Sequence, residues 1–338
     1  MEEAINKLIT GAISKKVFPG AVVLVGDDSK IQYLKAFGTT KYQDEGSIPV
    51  QPDFIFDLAS VTKVFTFTAA LKLINMGKLS LGTKLSEILE EFNTSEQKRK
   101  ITIWNLFTHS SGLSFKFHSF KSFPSKHIRK EILNAPLVYE IGSKVLYDNI
   151  NAMLMAEVIT RVSGKKFIDY LQDEVLDPLN LKSTRYKPSK KLMPKIVPTE
   201  NDGWRMRLVH GEVHDESAYA LGGIAGHAGL FSTAEDLWIF GRTWLNKSFL
   251  DKKLISRATT RQIKSPEGWM GLGWKIDYPD FMDHAPEGTY GHAGFTGTSL
   301  VICPANNKII ILLSNRIYPK RGPAEPIFDV RSKLCEIV

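Results

Sequence analysis

A chain of 338 residues with 43% hydrophobic and 24% charged residues has the composition of an ordinary globular protein, which excludes a mostly disordered one. Its length suits one domain with a large insertion, or two domains. The net charge of +8 is spread among 44 basic and 36 acidic residues, and the longest basic cluster is only Lys98-Arg99-Lys100. The excess therefore reads as a solvated basic surface. No helix-turn-helix, zinc-finger or RNP-type pattern points to nucleic acid.

The chain opens on an amphipathic helix, with Ile5, Leu8, Ile9, Ala12 and Ile13 at helical spacing. Glu2, Glu3 and Lys7 interrupt it, so it lacks the basic start and continuous apolar core of a signal peptide. No later stretch approaches the ~18 uninterrupted apolar residues of a membrane span. The expectation is a cytoplasmic protein with no membrane partner. Phe18-Pro19-Gly20 stops the helix. Ala21 to Gly26 reads as a buried strand, and Asp27-Asp28-Ser29 turns the chain into a second strand through Ile31 and Tyr33. Val61 to Met76 is apolar nearly all round and reads as a buried helix stopped by Gly77.

From residue 81 to 249 the helical period dominates, as in Ala152 to Val162 and Phe167 to Leu176. The segment Ser114 to Lys130 reads as a mobile loop that could line the mouth of a site. Strand character returns at Gly271 to Trp274, Thr298 to Ile302 and Lys308 to Leu313, with a turn at Pro304 to Asn307. Glu325 to Val338 reads as a closing helix. The fold class expected is α+β. An antiparallel sheet flanked by helices is built from residues 1–80 and 250–338, a mostly helical domain of residues 81–249 is inserted between its halves, and the site lies in the cleft between them.

Three segments carry chemistry. In Ser60-Val61-Thr62-Lys63 a serine at a helix N-terminus has a lysine one turn later on the same face. Serine is a weak nucleophile until a neighbour takes its proton. A lysine can do so when burial pulls its pKa down. In Tyr147-Asp148-Asn149 the tyrosine can act as a base if an ammonium stabilises its phenolate, and the asparagine can hold a lysine or a substrate carbonyl. In Gly291-His292-Ala293-Gly294-Phe295-Thr296-Gly297 the glycines suggest close backbone approach, and the Phe295 N–H could pair with that of Ser60 as an oxyanion hole. Taken singly, each has a plain structural reading as a helix cap, a surface tyrosine or a tight turn.

In order and separation the three together resemble the serine β-lactamase and penicillin-binding-protein superfamily. The Tyr-x-Asn element is similar to the class C branch with its esterases and D-amino-acid peptidases. Leu106 to Leu113, Leu221-Gly222-Gly223 and Gly226 to Thr233 extend the resemblance along nearly the whole chain. The resemblance implies that Ser60 is the nucleophile and that Lys63 and Tyr147 share base and acid duty. Asn149 would position lysine and substrate, with His292, Gly294 and Phe295 lining the substrate side. It implies an ester, amide or peptide substrate cleaved through an acyl-enzyme.

One departure stands out. The family's third motif usually begins with lysine, where this chain has His292. A neutral imidazole is a poorer carboxylate anchor than an ammonium, so weak or no β-lactamase activity and no strong D-Ala-D-Ala carboxypeptidase activity are expected. The alternative is a catalytically silent sensor of penicillins or muropeptides. His210, His214, Asp215 and Glu216 form a His/carboxylate cluster without HExxH spacing, so loop structure or pocket lining is expected there and no metal. His109 and His227, in turn-like segments, are expected to make structural hydrogen bonds. Cys303 and Cys335 have no disulfide or metal spacing. With no P-loop and no GxGxxG after a strand, no cofactor is expected.

Overall fold

The computed structural model describes residues 1–42, 46–117 and 122–338. The strand Gly20–Gly26 (β1) decides the architecture, because every residue in it is buried. Ala21, Val23 and Val25 belong to one apolar core, and Val22 and Leu24 to the other. Side chains alternate across a strand, so a strand with no polar face needs cover on both sides.

β1 is second in an eight-stranded antiparallel sheet. The others are β2 (Ile31–Gly38), β3 (Ile263–Lys264), β4 (Trp269–Met270), β5 (Lys275–Ile276), β6 (Tyr290–Ala293), β7 (Ser299–Cys303) and β8 (Lys308–Ser314). Their order is β2-β1-β8-β7-β6-β5-β4-β3. The two chain ends meet in it, with Val22 paired to Leu313 and Leu24 to Ile311. On one face, Ile5 and Ile9 of α1 (Glu2–Ser14) and Val330 and Leu334 of the last helix (Glu325–Ile337) pack with Val23, Val25, Ile310 and Leu312. The other face takes the helix Ala234–Leu245, whose Phe240 stacks on Phe65 at 4.1 Å between ring centroids.

Phe65 belongs to α2 (Thr62–Asn75), which is buried on all sides and ends before Gly77, a glycine at φ +70. The helix Asn149–Ser163 (α3) packs against α2. The architecture is α+β, as the sequence indicates.

Two expectations are corrected. Gly271 to Trp274 is the turn joining β4 to β5, not a strand, and Gly273 takes φ +83 there. Its apolar residues are buried as core, which periodicity alone reads as strand. Within the loop expected from Ser114 to Lys130, Ser125–Leu133 is a helix with Ile128 and Ile132 inward, while residues 118–121 lie outside the described residues. The section 81–249 also contains strands. Arg185–Tyr186 and Leu230–Ser232 form a small sheet with Phe56–Asp57. That sheet ties the section to the segment leading into Ser60. Among the described residues no helix is long and apolar enough to cross a membrane.

Candidate active site

Ser60 follows a bend under strain. Ala59 takes φ +46, a conformation that costs a residue with a Cβ. The Ala59 N–H donates to Asp57 Oδ1 at 2.8 Å, and Asp57 Oδ2 accepts the His214 N–H at 2.6 Å. The turn between β6 and β7 clamps the same segment. Thr296 Oγ1 donates to the Asp57 carbonyl at 2.8 Å, and Thr298 Oγ1 to the Leu58 carbonyl at 3.0 Å. Gly294 sits so close that a Cβ would lie 2.5 Å from the Leu58 oxygen and 2.2 Å from Thr298 Oγ1. The clamp brings the start of residue Phe295 up to the Ser60 segment, and among the described residues neither residue's N–H is taken by a backbone acceptor. The Phe295 ring is 46% exposed, stacked on His214 and flanked by Arg316 and Arg321.

Lys63, on the first turn of α2, is fully buried. Its Nζ lies 2.8 Å from Ser60 Oγ and 3.3 Å from the His227 carbonyl. Burial lowers its pKa to about 7, against the pull of Asp215 and Asp148, which favour the ammonium. A substantial fraction is therefore neutral near pH 7 and able to take a proton.

Tyr147 precedes α3. Its ring lies 5.0 Å from Lys63 Nζ and rests on the His109 ring at 4.7 Å. Its hydroxyl is 3.5 Å from His292 Nε2. Desolvation pushes the Tyr147 pKa up, while Lys275 and a hydrogen bond with Ser60 pull it down. His292, on β6, is buried, and its Nδ1 lies 3.1 Å from the Ala293 carbonyl. That bond assigns the ring proton to Nδ1 and leaves the Nε2 lone pair facing the Tyr147 hydroxyl. Burial first, then Lys275 and Lys63, hold the His292 pKa well below the usual histidine range. The same three causes bring His109 down to about 3. Both rings are neutral.

The structure thus brings Ser60, Lys63, Tyr147, His292, Gly294 and Phe295 around one point. Asn149 differs. It is the first residue of α3, and no hydrogen bond joins it to Lys63; the second hold on Lys63 is the His227 carbonyl. The buried asparagine is Asn151, bonded to Ser111 Oγ at 2.6 Å and close to His109. His109 has the structural bonding expected of it, to the Asp148 carbonyl, and also forms the floor beneath Tyr147.

Lys275 escaped the sequence reading. It lies on β5 opposite Gly291, with Nζ 4.7 Å from the Tyr147 ring centroid, 4.4 Å from that of Tyr278 and 5.9 Å from that of Phe281. Among the described residues no carboxylate pairs with it. No motif marked it, and the only available signal was a charge within a largely apolar run. The His/carboxylate cluster resolves into separate roles. His210 bonds the Ile196 carbonyl, His214 bonds Glu200 at 2.6 Å, and Asp215 bonds His227. Among the described residues no group of three or more His, Cys, Asp or Glu could hold a metal.

A serine with a buried lysine one turn into a core helix, beside a sheet strand, is the arrangement of an active-site-serine hydrolase. The family model described as Beta-lactamase matches residues 5–331, and the chain belongs to this family of serine hydrolases. It is 34% identical to an N-acetylmuramyl-L-alanine amidase of Bacillus subtilis (strain 168), covering 90% of this chain and 80% of that protein. A protein of Escherichia coli O157:H7, provisionally named a D-alanyl-D-alanine carboxypeptidase, is 32% identical over 92% of this chain and 80% of its own length. Among solved structures, a class C beta lactamase superposes with a TM-score of 0.80 at 20% identity, covering 100% of this chain and 98% of that one. The hydrolase EstCE1 also reaches 0.80, at 19% identity with 98% of both chains covered.

Proposed function

We propose that this enzyme cleaves an amide bond in a small peptide built on D-amino acids or muramyl units, through an acyl-enzyme on Ser60, with simple esters as accessory substrates. The observation that carries the reading is the 2.8 Å contact between Ser60 Oγ and a fully buried Lys63 Nζ. Neutral Lys63 takes the Ser60 proton as Oγ attacks the carbonyl carbon. The Ser60 and Phe295 N–H groups receive the developing oxyanion. As the tetrahedral intermediate collapses, the C–N bond breaks and the leaving amine takes a proton through Lys63 and Tyr147. Water then enters by the reverse route, and Oγ leaves with a proton. His292, neutral and fixed through Nδ1, orients the Tyr147 hydroxyl. The amide preference is supported by the names of the two relatives described above. Lys275 supports a substrate with a carboxylate, because its ammonium has no anionic partner among the described residues and stands beside Tyr147.

The test is turnover of p-nitrophenyl acetate and butyrate, a chromogenic cephalosporin, a D-alanine anilide and a muramyl peptide by wild type and Ser60→Ala. The reading requires turnover of the amides by wild type, little of the cephalosporin, and none of any substrate by the variant. Unchanged turnover in Ser60→Ala overturns it. An acyl group trapped on Ser60 without turnover would instead make the protein a silent sensor.

A further inference from the structure

We propose that Asp215 and His227 form a positioning pair for the Ser60–Lys63–Tyr147 group, and that the Asp215 carboxylate sets the pH at which the group becomes active. The inference rests on the reading of Ser60 as nucleophile.

Asp215 precedes the short helix Glu216–Ala220. Its Oδ1 accepts from the Ala218 N–H at 2.8 Å, from Ser217 Oγ at 2.6 Å and from His227 Nε2 at 2.9 Å. Three donors on one oxygen fix the carboxylate. The attraction of His227 first, and then these three bonds, outweigh the desolvation that would raise its pKa and hold Asp215 well below the usual carboxylate range, so it is charged throughout the working range. The side chain is 28% exposed, and Oδ2 has no donor among the described residues. The His227 ring is fully buried and its Nδ1 has no partner, so Nε2 is its sole attachment.

The same residue's carbonyl accepts from Lys63 Nζ at 3.3 Å. The preceding carbonyl, of Gly226, accepts from Thr66 Oγ1, one turn further along α2, at 2.7 Å. A Cβ on Gly226 would lie 2.1 Å from the Ala152 oxygen, so the segment is wedged between α2 and α3. His227 therefore joins Asp215, by its ring, to Lys63, by its backbone.

A fixed negative charge here raises the proton affinity of both groups that could take the Ser60 proton, Lys63 and Tyr147. Lys63 otherwise faces Asp148, which acts in the same sense, and its own burial, which opposes it. Around Tyr147 stand Lys275 from β5, His292 from β6, His109 beneath the ring, and Asp280. Because Asp215 acts on both bases in one direction, the prediction is independent of how they divide the proton.

The experiment is the pH dependence of kcat/KM for wild type, Asp215→Asn and Ser217→Ala. Asparagine keeps a helix cap while removing the charge; Ser217→Ala removes one bond to Asp215 and the 2.9 Å contact with His227 Nε2 and leaves the charge. The acid limb should move to lower pH by about one unit in Asp215→Asn and stay in place in Ser217→Ala. Asp215→Ser, a second uncharged cap, reads the same shift should the asparagine variant fail to fold. A wild type that turns over in a Ser60-dependent way, with a folded, uncharged Asp215 variant whose limb does not move, overturns this inference alone. An equal shift in Ser217→Ala overturns it as well. Turnover unaffected by Ser60→Ala overturns the reading beneath it.

Discussion

Lys63 carries the conflict on which the site runs. An ammonium in a fully buried position loses hydration, and the loss appears as a pKa of about 7 against 10.5 for the free side chain. Two outcomes follow. Activity should fall as pH drops through about 7, because protonated Lys63 cannot take the serine proton. Lys63→Met should lower kcat by about 10²–10⁴-fold and at the same time raise the melting temperature. The sign is fixed by linkage: between pH 7 and 10.5 the unfolded chain binds the lysine proton and the folded chain does not, so wild-type stability rises with pH across that window. The gain in Tm from Lys63→Met should therefore be largest at and below pH 7 and vanish near pH 10.5. Thermal melts at several pH values check it, and a gain independent of pH would contradict it. Lys275 allows a separate prediction. If its ammonium holds a substrate carboxylate, Lys275→Gln should raise KM at least about tenfold, or 1.4 kcal/mol, for a carboxylate-bearing amide and leave a neutral ester nearly unaffected. Equal effects on both would assign Lys275 to Tyr147 alone.

Among the elements, the β6–β7 turn does the most for its length. Two threonine hydroxyls and one glycine hold it against the Asp57–Leu58 backbone. Gly294→Ala should push the turn away from Ser60, with a kcat loss of about 10²-fold from a displaced oxyanion donor and a stability cost of about 1–3 kcal/mol. Denaturant melts and steady-state kinetics measure both. The position of this turn was readable from three glycines, and Ser60 with Lys63 from their spacing, because local geometry fixes both. Lys275 and the hold on Lys63 were not readable. β5 is two residues long, too short to show a period, and it is placed by pairing with β6 rather than by propensity. The Gly271 to Trp274 turn was misread for a related reason, since burial on every side looks alike in a strand and in a packed turn. The helix Ser125–Leu133 has a clear inward row, but aromatic and lysine residues before it masked its start.

At the scale of the whole molecule, the sheet depends on β8. It stands between β1 and β7, and its Ile309, Ile311 and Leu313 face one core while Ile310 and Leu312 face the other. Ile311→Ala should cost about 2–5 kcal/mol, against less than about 0.5 kcal/mol for an exposed change such as Lys320→Ala. Urea unfolding of the two variants makes the comparison.

The pairing of β1 with β8 also has a consequence for biosynthesis. β1, apolar on both faces, is translated before the long stretch 27–307 that separates it from its partner. Until then the β1 edge that β8 will take has unpaired backbone donors and acceptors, and only β2, α1 and later the helix Ala234–Leu245 cover the rest of it. A nascent chain in that condition is prone to pair with its neighbours. Non-local closure of this kind is slow as well. Yield in a cell should therefore depend on whatever shelters β1 while the remainder of the protein is being made.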